Sequence, residues 1–73
     1  MIASLSGTVQ KIESGSLVVL VGSVGVRVFV PRTVLENVGG VGRRLTLHTH
    51  LLVREDNLSL FGFESEEDLQ LFE

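Results

Sequence analysis

The 73-residue chain has no cysteine, no tryptophan and no tyrosine, and it has a single proline. Without cysteine there is no disulfide framework and no thiolate metal site. The longest apolar run, Leu17 to Val21, falls far short of the ~20 residues a membrane-spanning helix needs. Met1-Ile2-Ala3-Ser4 lacks the basic start of a secretory signal, so the expectation is a soluble, cytoplasmic protein with no membrane partner. Charge is also scarce, at 21% of residues against 44% hydrophobic, which argues against disorder. A chain this short makes one domain at most and buries only ~60% of the surface its unfolded form exposes.

The net charge of −3 points away from nucleic acid, which usually meets a basic footprint. That average conceals a division. Residues 1–54 carry all six basic side chains against Glu13 and Glu36, a balance of +4. Residues 55–73 carry seven acids and no base, a balance of −7.

Most of the sequence reads as short strands. Ala3, Leu5, Gly7 and Val9 alternate with Ser4, Ser6, Thr8 and Gln10, a period of two that sends one side inward. Glu13-Ser14-Gly15-Ser16 is turn chemistry, and Leu17–Val21 suits a strand buried on both faces. Gly22-Ser23 predicts a hairpin with a type II′ turn. Val24, Val26, Val28 and Val30 then alternate with Gly25, Arg27 and Phe29 until Pro31 ends the pairing. Val34, Leu35 and Val38 fall at helical spacing before Gly39-Gly40, predicting a short helix across one end of a barrel. Leu45, Leu47, Thr49, Leu51 and Val53 read as the inward side of a fourth strand, with Thr46, His48 and His50 opposite. Arg54-Glu55-Asp56-Asn57 is a charged hairpin tip, and Leu58–Phe63 a fifth strand in which Gly62 permits a close approach.

Five strands with a helix between the third and fourth is the order of an all-β OB-fold, a Greek-key barrel, over residues 1–63. The order of elements also admits a small open sheet. Residues 64–73 differ in kind. Ser65 and Asp68 form a capping-box-like start, with Glu66 and Glu67 placed well against the helix dipole. Leu69 and Phe72 share one face of the helix that this start predicts. Two readings stay open for that face: it begins a second, helical domain, or it docks on its own barrel.

Little catalytic chemistry is visible. His48 and His50 share a strand face but have no third ligand at a diagnostic spacing, so no metal site and no cofactor are expected. No serine sits in a nucleophile elbow, and Gly39-Gly40-Val41-Gly42 lacks the ending of a phosphate loop. No catalytic residue and no enzyme are expected. For direct single-strand binding the aromatics are sparse: Phe29 alone lies outward near Arg27 and Arg32, and packing against a helix or a neighbouring subunit is its favoured role. Arg43-Arg44 is a candidate phosphate contact, though exposed arginine pairs are commonly solvated surface. Glu55 and Asp56 project together only from a turn, where acids ordinarily serve as solvating turn formers.

Several stretches together resemble the N-terminal domain of the RuvA family: Met1-Ile2, Gly7, Val24-Gly25-Val26, Thr49-His50, Val53-Arg54-Glu55-Asp56, Leu60-Phe61-Gly62-Phe63 and Leu71-Phe72. The resemblance spans the whole chain. It departs at Phe61, where the family commonly carries tyrosine. It implies an OB-fold first domain of a non-catalytic, Holliday-junction-binding subunit in recombination and repair. It also implies a homotetramer assembled through this domain, four-way junction DNA as ligand, and a RuvB-type motor ATPase as partner through a C-terminal domain outside these residues. On the same ground residues 64–73 open a helix-hairpin-helix domain, and Glu55 and Asp56 match the family's acidic pin. Arg54 then either tethers a phosphate or holds Glu55, with Arg43 and Arg44 as further backbone contacts. The competing readings are a self-associating structural barrel and a general single-strand-binding OB module.

Overall fold

The computed structural model describes residues 2–55 and 57–72. Strands β1 (Ile2–Ile12), β2 (Ser16–Val21) and β3 (Val24–Phe29) form a meander, followed by helix α1 (Arg32–Asn37). Strands β4 (Arg44–Arg54) and β5 (Asn57–Phe63) form a hairpin, and helix α2 (Glu66–Phe72) ends the described chain. The strands close in the order β1-β2-β3-β5-β4, with β4 pairing back to β1. This is the OB-type barrel, and the open-sheet alternative is excluded.

Closure depends on β1 serving two partners. Its first half pairs with β4 from Ile2↔His50 to Thr8↔Arg44, and its second half pairs with β2. A register shift between Val9 and Lys11 marks the changeover, because one extra residue bends the strand and raises its twist. The last gap is closed by a parallel contact, Phe29 on β3 beside Phe61 on β5. At the β2–β3 turn, Gly22 has φ 62° and Ser23 stays at negative φ, as a type II′ hairpin requires.

The barrel is filled by Val9, Leu17, Val19, Val28 and Leu47, all within 1% of full burial, with Val30 and Val34 at one end. Val34 comes from α1, and Leu35 and Val38 pack beside it, so the short helix plugs an end of the barrel as its spacing predicts. Gly62 lies against that core. A Cβ there would stand 2.7 Å from Val28 Cγ1 and 3.0 Å from Leu47 Cδ1, so the position admits no side chain without displacement.

Two expectations change. The run Leu17–Val21 is not buried on both faces: Leu17 and Val19 point inward, Val18 and Leu20 are half-buried, and Val21 is exposed. A closed barrel has one interior, so the outward valine and leucine pack only against cross-strand neighbours. The inward parity of β4 also fails at its end, where Val53 is 64% exposed because the hairpin has run past the barrel rim.

Helix α2 docks on its own barrel. Ser65 Oγ accepts the Asp68 N–H at 3.1 Å, forming the predicted cap. Leu69 is fully buried and Phe72 meets the rings of Phe61 and Phe63. The face carrying Leu69 and Phe72 therefore has its partner within the chain, while Leu71 points outward at 87% exposure.

Candidate nucleic-acid interface

The β4–β5 hairpin keeps its antiparallel ladder past the rim, through Leu52↔Ser59, Val53↔Leu58 and Arg54↔Asn57. The backbone ladder holds this segment out, since the side chains of Val53 and Leu58 face solvent. Glu55 is an exposed turn residue at its end. Asp56, the second acid of the tip, lies outside the described residues. Arg54 and Glu55 are both exposed, and among the described residues no ion pair joins them.

Arg43 and Arg44 stand elsewhere. Arg44 begins β4, ten residues from Arg54, about 33 Å of strand at 3.3 Å per residue. The Arg43 carbonyl accepts from Val9 N–H at 2.8 Å, tying this end to β1, and Arg44 lines a shallow cleft with Asn37, Thr46 and Glu64. The fold thus separates Arg43 and Arg44 from the tip that carries Arg54 and Glu55.

The strongest charge cluster carries no local sequence signal. Glu13 accepts from Arg27 Nε at 2.8 Å and Nη2 at 3.2 Å, and from Ser16 Oγ at 2.9 Å, with Lys11 Nζ at 3.6 Å. The Arg27 hydrogen bond, followed by that from Ser16, lowers the Glu13 pKa to about 2. The same bond raises that of Arg27. This pairing becomes legible only once Lys11, Val18 and Arg27 are set in one row across three strands.

The aromatic side chains form a second cluster that the sequence order hides. Phe29 meets Phe61 at a centroid distance of 5.8 Å, Phe61 meets Phe72 at 4.9 Å, and Phe72 meets Phe63 at 5.1 Å. His50 lies edge-on to Phe72 at 5.9 Å. His48 is half-buried beside it on β4, opposite Phe63. No group of three or more His, Asp or Glu side chains suited to a metal occurs among the described residues. The ring facing Phe29 belongs to β5, a contact that the parallel β3–β5 pairing of the barrel order could have signalled. No helix among the described residues is long and apolar enough to cross a membrane.

A closed five-stranded OB-type barrel with a projecting β4–β5 hairpin and a docked C-terminal helix defines the class. Residues 1–62 match the family described as the RuvA N terminal domain, and the chain belongs to that family. Proteins named Holliday junction branch migration complex subunit RuvA align along all of it: 51% identical in Herpetosiphon aurantiacus, 47% in Dehalococcoides mccartyi and 45% in Thermus thermophilus. The chain spans 37–38% of the length of these curated relatives.

Proposed function

We propose that this chain is the junction-reading, non-catalytic core of a Holliday-junction-binding protein that works in the cytoplasm in recombination and repair. The observation that carries the reading is the exposed β4–β5 hairpin with Glu55 at its tip, on a chain of this family. Four copies assemble through this domain and bring Glu55 and Asp56 of each to the crossover of a four-way junction. Residues 1–63 form the barrel, and residues 64–73 lead into a helix-hairpin-helix domain that grips DNA backbones. A further domain recruits a RuvB-type motor ATPase.

The physical logic is repulsion at the centre and attraction around it. One carboxylate facing one phosphate at ~6 Å in water is repelled by only ~0.7 kcal/mol. About eight carboxylates facing four converging backbones sum such terms, and they disfavour a collapsed junction while helping strands part. Net attraction comes from cations further out, whose neutralised phosphates make binding salt-dependent. Arg43 and Arg44 belong to that outer set. On this reading Arg54 tethers a phosphate beside the tip, a role supported by its making no ion pair with Glu55 among the described residues.

The test is the double variant Glu55→Gln with Asp56→Asn in a chain extended to its relatives' length. It is expected to bind four-way junctions at least as tightly, with reduced preference for junction over duplex and altered branch migration with the motor. Junction selectivity and migration both unchanged would remove the tip from the mechanism.

A further inference from the structure

All four phenylalanines of the chain, drawn from β3, β5 and α2, converge on one groove of about 360 Å³. Phe61 and Phe63 line it from β5, Phe29 and Phe72 stand beside them at 41% and 44% exposure, and Gly15, Val30 and Pro31 complete the lining. Large aromatic side chains left this open in a small barrel invite a ligand with a flat apolar face. We propose that the groove is a stacking site for a single unpaired nucleobase of a DNA strand.

Three features select a base over an apolar peptide. The groove opens between the β1–β2 turn, through Gly15, and strands β3 and β5, so it borders the surface OB barrels use for oligonucleotides at the β1–β2 loop and the third strand. Cations flank it: Arg27 lies two residues before Phe29 on the same outward face, and Arg32 lies just past Pro31 at 90% side-chain exposure. With Lys11 set against Glu13 and Glu36, this flank keeps a net positive charge, suited to the phosphates on either side of a stacked base. Finally, Phe61 lies four residues from Asn57 on the strand that carries the hairpin, about 13 Å along β5. A base released where strands part at the tip has an aromatic seat on the same strand. The lining is carbon-rich, so the seat tolerates any base.

The inference rests on DNA being the ligand, as proposed above, but not on the acidic tip. Its test is therefore a linear single strand, which reads stacking whether or not the tip selects junctions. A short oligonucleotide carrying one 2-aminopurine is titrated with the chain at low salt. The absence of tryptophan and tyrosine leaves the probe's emission unobscured. Saturable quenching is expected, with apparent affinity about tenfold weaker for Phe29→Ala, which removes one aromatic ring from the stack. Phe29→Leu, which keeps apolar bulk without a π-face, should match Phe29→Ala, and Phe29→Tyr, which keeps the π-face and emits well to shorter wavelength than the probe, should retain the parent's affinity. Thermal melts of all three identify any variant that fails to fold. Absent quenching, or wild-type affinity in Phe29→Leu, overturns the proposal. So does an apolar peptide shifting the Phe29 and Phe72 ring resonances where the oligonucleotide shifts none.

Discussion

Strand β4 runs through two environments, and its halves obey different rules. At Leu47 and Thr49 the inward side chains are 1% and 2% exposed, enclosed by the barrel. Four residues beyond Thr49, Val53 has the same parity and is 64% exposed. The β5 ladder runs unbroken from His48 to Arg54, but the β1 ladder stops at His50, so the outer half loses one of its two backbone partners together with its side-chain burial. Stability is thus concentrated in the inner half, while the outer half presents residues to a partner at little cost to the fold. Segments held by ladder bonds with few buried contacts open at lower free energy than a core, which suits the role in DNA handling proposed for this hairpin.

The comparison is tested most severely at its buried end. Leu47→Ala removes a fully enclosed side chain touching the place where Gly62 admits none, so collapse around the cavity is limited. The expected loss is about 2–5 kcal/mol. For a domain of this size each kcal/mol lowers Tm by roughly 4–8 °C, so a thermal melt should fall by ~10 °C or more. A drop of only a degree or two would mean that the inner half does not carry the stability assigned to it.

The inner half is also the legible half. Alternation in Ala3–Val9 and Val24–Val30 reports one buried face, and the structure buries Val9, Val28 and Val30 on that side. Where periodicity misleads, the reason is geometric. Val53 continues the apolar alternation of β4, but parity says which face a residue takes, not whether the barrel reaches that far. The all-apolar run Leu17–Val21 offers no alternation to read, although its burial alternates. Phe29, Phe61 and Phe72 look isolated along the chain and become neighbours only through the parallel β3–β5 closure and the docking of α2. Glu13 reads as turn chemistry because its partner Arg27 is fourteen residues away, across a register that no local pattern encodes. The tip of Arg54, Glu55 and Asp56 stands out by its charge and by resemblance, not by spacing.

Between the two halves in expected effect stands the Glu13 cluster, which is surface-exposed yet ordered. Its carboxyl titrates at about 2 in the fold against an ordinary value of 4.5, so folding favours the ionised form. The stabilisation is fully present above pH 4.5 and fades as pH falls toward about 2, where the folded protein also takes up the proton. Glu13→Gln should therefore flatten the decline in stability across that window, measured by denaturant titration at stepped pH. An unchanged pH slope would assign the acid sensitivity to other carboxylates.

The smallest effect is expected at the outer end, and there a null result is informative. Val53 and Leu58 are cross-strand partners with 64% and 68% of their surface already in water, so replacing both with threonine removes little burial and places a β-branched pair in the ladder. The double variant should unfold within about 0.5 kcal/mol of the parent, the range of surface substitutions that touch no special feature. Measured on the isolated chain at low concentration, a larger loss would show that the outer half is packed rather than held only by its ladder with β5. If stability is unchanged at low concentration but falls when the two are compared at high concentration, the exposed pair is an apolar contact between copies. The hairpin would then combine an assembly surface at Val53 and Leu58 with the tip proposed to face DNA at Glu55, one residue past the last ladder pair.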